Sequence, residues 1–252
     1  MHDSENILWK GKPSFASFLG LYLLYSLPFL SFLAAQFVWN VFPGEAKIIL
    51  EASTRLLEKL LGLPYPLSIV YLMGFFISII LCVLNWLLRV DMKPLIFTMM
   101  SYLSIEVARL ASVIPGEFSF RLFLLFSCSL IGVLGVELYR KSFAYSILKD
   151  SVVIKGGFLR KWERIVNKKS ISDVVIIKPV LGHFLGFAHV VPITQSQIGL
   201  GDTFSLGAVK VEKKTTGVIV GGGKTVVDVE PRPWNCIYGV KDVESVKRAL
   251  LE

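Results

Sequence analysis

Residues 14–42, SFASFLGLYLLYSLPFLSFLAAQFVWNVF, run for twenty-nine positions without an Asp, Glu, Lys or Arg. A helix of about 20 apolar residues crosses a hydrocarbon core about 30 Å thick. The stretch therefore predicts a tilted transmembrane helix and, with it, an integral membrane protein. Composition agrees: of 252 residues, 54% are apolar and 18% charged, and the mean hydropathy of +0.63 is above that of soluble domains. The run is too long for a signal-peptide core and has no small-x-small cleavage site, so no cleaved leader is expected.

Working outward, Leu60 to Leu88 is a second uncharged run, and its helix is expected from Pro66, over 66–88, because proline suits a first helical turn. Between the two, residues 46–61 set Ile49, Leu56, Leu57, Leu60 and Leu61 among Lys47, Glu51, Arg55, Glu58 and Lys59, the pattern of a helix lying on a membrane surface. A third span is expected over 94–114, interrupted by Glu106 and Arg109. Three residues apart, these share a helical face and offset one another's charge, which lowers a cost of roughly 2.5–3.5 kcal/mol for each charge at a helix centre. A fourth is expected over 120–139, where Gly132 and Gly135 allow close helix approach. Four crossings put both termini on one side. Residues 139–169 carry nine Lys/Arg against Asp150 and Glu163, so the positive-inside rule makes that side cytoplasmic and the protein a multi-pass cell-membrane protein. Three cysteines, two of them in apolar runs, exclude a disulfide framework.

After Tyr139 the apolar period shortens. Phe143–Leu148, Ser151–Ile154 and Phe158–Val166 read as antiparallel strands separated by Lys149-Asp150 and Gly156-Gly157. Residues 173–177, 188–193, 208–212, 217–220 and 225–229 continue the series. Residues 240–251 close it as an amphipathic helix, with Val240, Val243, Val246 and Leu250 on one face and Asp242 as N-cap. Seven or eight strands and one helix form an α+β domain over 140–252, behind a tag over 1–13 and a membrane region over 14–139.

Several motifs then carry a resemblance. Glu5-x-x-x-Trp9-Lys10-Gly11-Lys12-Pro13-Ser14 precedes the first span. Tyr145-Ser146-Ile147, Val152-Val153-Ile154-Lys155-Gly156-Gly157, Ile171-Ser172-Asp173-Val174, Leu185-Gly186-Phe187-Ala188 and Ile237 to Glu244 follow in order. The chain resembles the membrane-anchored bacterial-type PH-domain proteins, the YdbS-like family of bacteria and archaea. The resemblance implies a PH-like fold: an antiparallel meander closed by a C-terminal helix. Two features depart from it, namely four spans where a two-helix hairpin is common, and a longer Gly-rich excursion over 195–207.

Catalytic chemistry finds little support. Gly221-Gly222-Gly223-Lys224-Thr225 misses the phosphate-loop register, since position 218 is Val218 and β-like residues follow; a hairpin turn is expected instead. His183 and His189 lack further ligands for a metal, and Ser196 has no nucleophile-elbow context. No catalytic residue, metal or cofactor is expected. The sharper expectation concerns Arg140, Lys141, Arg160, Lys161, Trp162, Arg164, Lys168 and Lys169, a juxtamembrane basic set suited to anionic lipid headgroups or a partner protein. Tethering to a membrane argues against nucleic acid. The leading reading is a non-enzymatic membrane-anchored binding or scaffold module. The alternative is a small transporter or membrane enzyme with a polar intramembrane site at Glu106, Arg109 and Glu137.

Overall fold

The computed structural model describes residues 7–61, 68–89, 91–111, 113, 117–157, 160–194, 201–203, 208–210, 219–221, 226–228 and 231–251. In chain order the elements are β1 (Ile7–Gly11), a 3-10 turn (Phe15–Phe18), α1 (Leu19–Val41), α2 (Gly44–Leu61), α3 (Ile69–Arg89), α4 (Lys93–Leu110) and α5 (Phe118–Lys141). There follow β2 (Ala144–Leu148), β3 (Ser151–Gly156), β4 (Trp162–Asn167), β5 (Ile171–Ile177), α6 (Val180–Leu185), β6 (Ala188–Thr194), β7 (Gly201–Thr203), β8 (Ala208–Lys210), β9 (Ile219–Gly221), β10 (Val226–Asp228), β11 (Ile237–Val240) and α7 (Val243–Leu251). They form two compact units, Gly20–Val136 and a second made of Met1–Leu19 with Glu137–Glu252.

The helical unit exposes many apolar side chains and buries polar ones beside its apolar core. On α4, Ile96, Met100, Leu103 and Val107 fall on one face and are exposed, whereas Thr98, Ser101, Tyr102 and Arg109 are buried. A soluble helix does the reverse. Inside, the Tyr102 hydroxyl donates to the Pro28 carbonyl at 2.9 Å and meets Ser31 Oγ at 2.9 Å, while Ser31 also bonds Ser78. The Tyr71 hydroxyl donates to the Tyr102 carbonyl at 2.6 Å. Buried hydroxyls thus find partners on neighbouring helices, as an apolar surrounding demands. Gly132 lies against Phe97 and Tyr25, the close approach expected of it, but a Cβ on Gly135 would meet nothing within 4 Å.

Among the described residues three helices are long and apolar enough to cross a membrane: Phe15–Val41, Ile69–Leu87 and Phe118–Lys141. One of the four expected spans falls short of that length and apolarity. The third expected span, 94–114, is a shorter helix that ends at Leu110 and carries Lys93, Glu106 and Arg109 within eighteen residues.

In the other unit, β1-β2-β3-β4 form an antiparallel sheet and β11-β6-β5 a second. Strand alternation turns Tyr145, Ile147, Val152, Ile154 and Val166 to one core, where Val190, Ile237, Val240 and the α7 residues Val246 and Ala249 join them. Asp242 caps α7, accepting from the Ser245 amide at 3.1 Å. These two sheets and their closing helix fit a PH-like domain.

Among the described residues there are eleven strands rather than seven or eight, for three local reasons. Ile7–Gly11 is a strand of the domain's sheet and not a separate tag. Ile237–Val240, expected to lead into the last helix, pairs with β6 across a bulge, with Gly239 at φ +62°; the helix begins only at Val243. Gly201–Thr203, inside the Gly-rich excursion, pairs with β10, while β8 pairs with β9 in the same register. The hairpin turn expected at Gly221-Gly222-Gly223-Lys224-Thr225 falls mostly outside the described residues; of these five only Gly221, paired with Ala208, is described. Residues 195–200, 204–207 and 222–225 lie outside the described residues, as do Phe158 and Leu159.

The N-terminal motif acquires a physical role here. A Cβ on Gly11 would come within 2.3 Å of the Trp9 ring, so only glycine lets that indole fold back against the domain core. Beyond it, the Ser14 amide donates to the Gly239 carbonyl at 2.9 Å. Gly11→Val in the full chain is expected to destabilise this unit by about 1–3 kcal/mol through overpacking. Thermal unfolding in mild detergent measures it, and an unchanged transition contradicts the assignment.

Candidate functional site

Two open clefts flank Trp162. One, about 390 Å³, is lined by Tyr139, Phe143, Gly157, Trp162, Arg164 and Trp234. The other, about 580 Å³, is lined by Leu138, Lys141, Ser142, Lys155, Gly156, Gly157, Lys161, Trp162 and Glu163. The β3–β4 register sets this up. Gly156 opposite Trp162 and Ile154 opposite Arg164 put the indole and guanidinium on the face that bears the core, while Lys155 opposite Glu163 places that pair on the other face, bridged at 3.0 Å. At Gly156 a Cβ would come within 2.6 Å of the indole, so the missing side chain is what seats Trp162. Gly157, at φ +102°, lies directly beneath the Arg160 carbonyl and admits no other residue without strain.

The expected basic set divides. Lys141, Lys161, Trp162 and Arg164 line the clefts. Arg160 and Lys169 are exposed outside them. Arg140 works inside the domain, donating to Glu137 at 2.9 and 2.7 Å and to the Pro13 carbonyl at 2.8 Å. Lys168 donates to the Ala249 carbonyl at 2.5 Å, at the C-terminal end of α7 where a cation suits the helix dipole. Sequence reasoning missed Lys155, Tyr139, Phe143 and Trp234. Lys155 was legible as part of the alternation in β3; the three aromatics come together only through tertiary packing.

A second polar cluster lies in the helical unit. Arg109 donates to Glu106 at 2.9 Å through Nε and 2.5 Å through Nη2, and Arg121 Nη2 is 3.8 Å from the same carboxylate. The Arg121 guanidinium sits 5.2 Å from the Tyr71 ring centre. Both arginines are about 5% exposed, so two buried cations share one anion. Glu137 belongs elsewhere: it pairs with Arg140 and, at 3.2 Å, with Lys141. Arg121 and Glu137 stand sixteen residues apart on α5, about 24 Å at 1.5 Å per residue.

Of the two histidines weighed as metal ligands, His183 is exposed and His189 buried. His189 Nδ1 accepts from the Gly239 amide at 3.0 Å and its ring stacks on Tyr238 at 4.0 Å, so it holds β6 to β11 as a neutral group. Among the described residues no three His, Cys, Asp or Glu converge as a metal site.

Residues 55–215, more than half of the chain, match the family model of the bacterial PH domain. The two antiparallel sheets fit a PH-like domain, and the chain belongs to the bacterial PH domain family. No match is found among curated proteins, nor among solved structures.

Two predictions follow from these side chains. Glu106→Gln removes the carboxylate that Arg109 and Arg121 share and is expected to destabilise the helical unit by about 3–5 kcal/mol, the cost of breaking a buried ion pair; thermal aggregation in detergent reads it. Burial lowers the His189 pKa from 6.5 to about 4. Below pH 6.5 the unfolded chain takes up a proton that the folded chain refuses until about pH 4, so stability falls with pH across that window by about 3 kcal/mol in total. Unfolding between pH 7.5 and 5 is expected to show this slope, and His189→Asn to lack it.

Proposed function

We propose that the protein is a non-enzymatic, membrane-anchored PH-like module whose clefts beside Trp162 engage anionic lipid headgroups at the cytoplasmic face. The observation that carries this reading is the position of the clefts: Leu138, Tyr139 and Lys141 close them, and these are the last residues of a helix long enough to cross a bilayer. Lys141, Lys155 and Lys161 in one cleft and Arg164 in the other supply cations, while the indole of Trp162 suits the interfacial layer. A guanidinium offers phosphate a bidentate grip. The nine Lys/Arg of residues 139–169 support a cytoplasmic location.

Four crossings with both termini cytoplasmic fit this reading better than three. β1 precedes all the helices and β2 follows them, yet the two pair from Ile7↔Leu148 to Gly11↔Tyr145. A strand pair cannot straddle a bilayer, so the number of crossings between Gly11 and Ala144 is even. α4 supplies the fourth: its exposed face is apolar and its Glu106–Arg109 pair is turned inward, where an intramembrane charge is tolerated. A transporter site built on Glu106, Arg109 and Glu137 gains no support, since Glu137 and the Glu106 partner Arg121 lie at opposite ends of α5.

Topology is tested by single-cysteine labelling of the full chain. Asp91→Cys and Glu163→Cys are expected to react from the cytoplasmic side, and Glu51→Cys and Glu117→Cys from the other; reaction of the Asp91 site from outside sinks the four-crossing arrangement. Lipid engagement is tested by counting lipids retained by the purified full chain in mild detergent, by native mass spectrometry. Retention of anionic over zwitterionic lipid is expected in the parent, falling with salt as screening shortens. It is expected to be lost when Lys141, Lys155, Lys161 and Arg164 become Gln. Equal retention by that variant turns the reading toward a partner protein.

A further inference from the structure

The segment from Pro179 to Thr194 has no Asp, Glu, Lys or Arg, and its first part, α6, turns its apolar side chains outward. Val180 is 77% and Phe184 79% exposed, with Leu181 and Leu185 also open. The exposure is built in. The His183 amide donates to the Pro179 carbonyl at 2.9 Å and the Phe187 amide to the Gly182 carbonyl at 3.0 Å, and Gly186 takes φ +67°. Gly182 is buried so tightly that a Cβ would lie 2.4 Å from the Phe187 carbonyl oxygen. Six residues are thus wound into one firm turn that presents four large apolar groups, an arrangement that water disfavours and that a soluble surface rarely keeps.

Its neighbour identifies what covers it. α6 packs beside the 3-10 turn Phe15–Phe18, and Phe15 is both exposed and the first residue of the apolar stretch Phe15–Val41. Val180, Leu181, Phe184 and Leu185 therefore continue, on the domain's own surface, the apolar surface with which α1 enters the membrane. Lys178, exposed just before the turn, is placed for headgroups. We propose that α6 is a monotopic membrane element, inserted into the headgroup and upper acyl layer of the leaflet from which α1 starts, so that the domain lies against its bilayer by an apolar foothold in addition to its helices. The occupant is lipid acyl chain, distinct from the headgroups proposed for the clefts, and the inference rests only on α1 being a span.

The test uses the full chain in vesicles of phosphatidylcholine and phosphatidylglycerol, on a Cys128→Ser background, since Cys82 and Cys236 are buried. A bimane label is placed in turn at Phe184→Cys, Val180→Cys, Leu251→Cys on exposed α7, and Phe37→Cys on α1. Labels at 184 and 180 are expected to be quenched severalfold more strongly than the label at 251 by lipids with a doxyl group near the headgroup end of the chain, and to be shielded from aqueous iodide. Behaviour like that of residue 251 overturns the proposal. So does shielding from both quenchers, which means that protein covers the turn. If the label at Phe37 escapes lipid quenching, α1 is no span, and the anchoring reading falls together with this one. Doxyl quenching at 37 but not at 184 or 180 sinks the foothold alone.

Discussion

Backbone pairing between residues that the membrane helices separate is the constraint on which the rest depends. Ile7–Gly11 bonds to Ala144–Leu148, and everything from α1 to α5 lies between them in sequence. Closing so long a loop costs only slightly more entropy than closing a shorter one, and the pairing covers the otherwise open edge of β2. The junction is reinforced on both sides of the strand. Arg140 holds the Pro13 carbonyl, and the Gly239 carbonyl receives the Ser14 amide. Phe18, just before α1, and Tyr139, near the end of α5, meet edge to face at 6.1 Å. The first helix thus leaves the domain, and the last returns to it, at one clamped place.

That clamp explains residues that look unrelated in the chain. Trp9 needs Gly11 in order to fold back; Gly239 combines positive φ with a position where a Cβ would strike Ser17 Oγ. Arg140 looks like one more cation in a basic run, yet its bonds to Glu137 and Pro13 make it a fastener. Charge counting treats it like Lys141, and only geometry separates the two, since Lys141 shares Glu137 yet remains 63% exposed.

Much of the fold was legible. Uncharged runs located α1, α3 and α5, since length and apolarity are sufficient signals in a bilayer, and the period-2 pattern located β2 to β6 within a few residues. The Asp242 cap and buried Val246 identified α7. What escaped depended on partners distant in sequence. β1 is short enough to pass for a tag until β2 is beside it, and β11 reads as helix lead-in because its ladder with β6 is irregular. Gly221, read as part of a turn, pairs in register with Ala208. For the candidate site, the basic residues were visible and their division was not. Lys168 and Lys169 are adjacent in sequence, yet only Lys168 reaches the end of α7.

An unbroken series of aromatic contacts joins the clefts to α6. Trp162 meets Phe143 at 6.2 Å, Phe143 meets Tyr139 at 5.0 Å, and Tyr139 meets Phe18 at 6.1 Å. Phe18 then meets Tyr238 at 5.4 Å, Tyr238 stacks on His189 at 4.0 Å, and His189 meets Phe187, two residues past the end of α6, at 5.7 Å. Phe18, Phe143, Phe187 and His189 are buried, so rotating any of these rings means displacing packed neighbours. A basic cleft and an apolar turn fixed to one such frame cannot reorient independently. If both meet the bilayer, the domain has two attachments of different chemistry beside its covalent tether. Salt weakens the ionic one while leaving the apolar one in place, so the domain's pose, and not merely its attachment, responds to ionic strength.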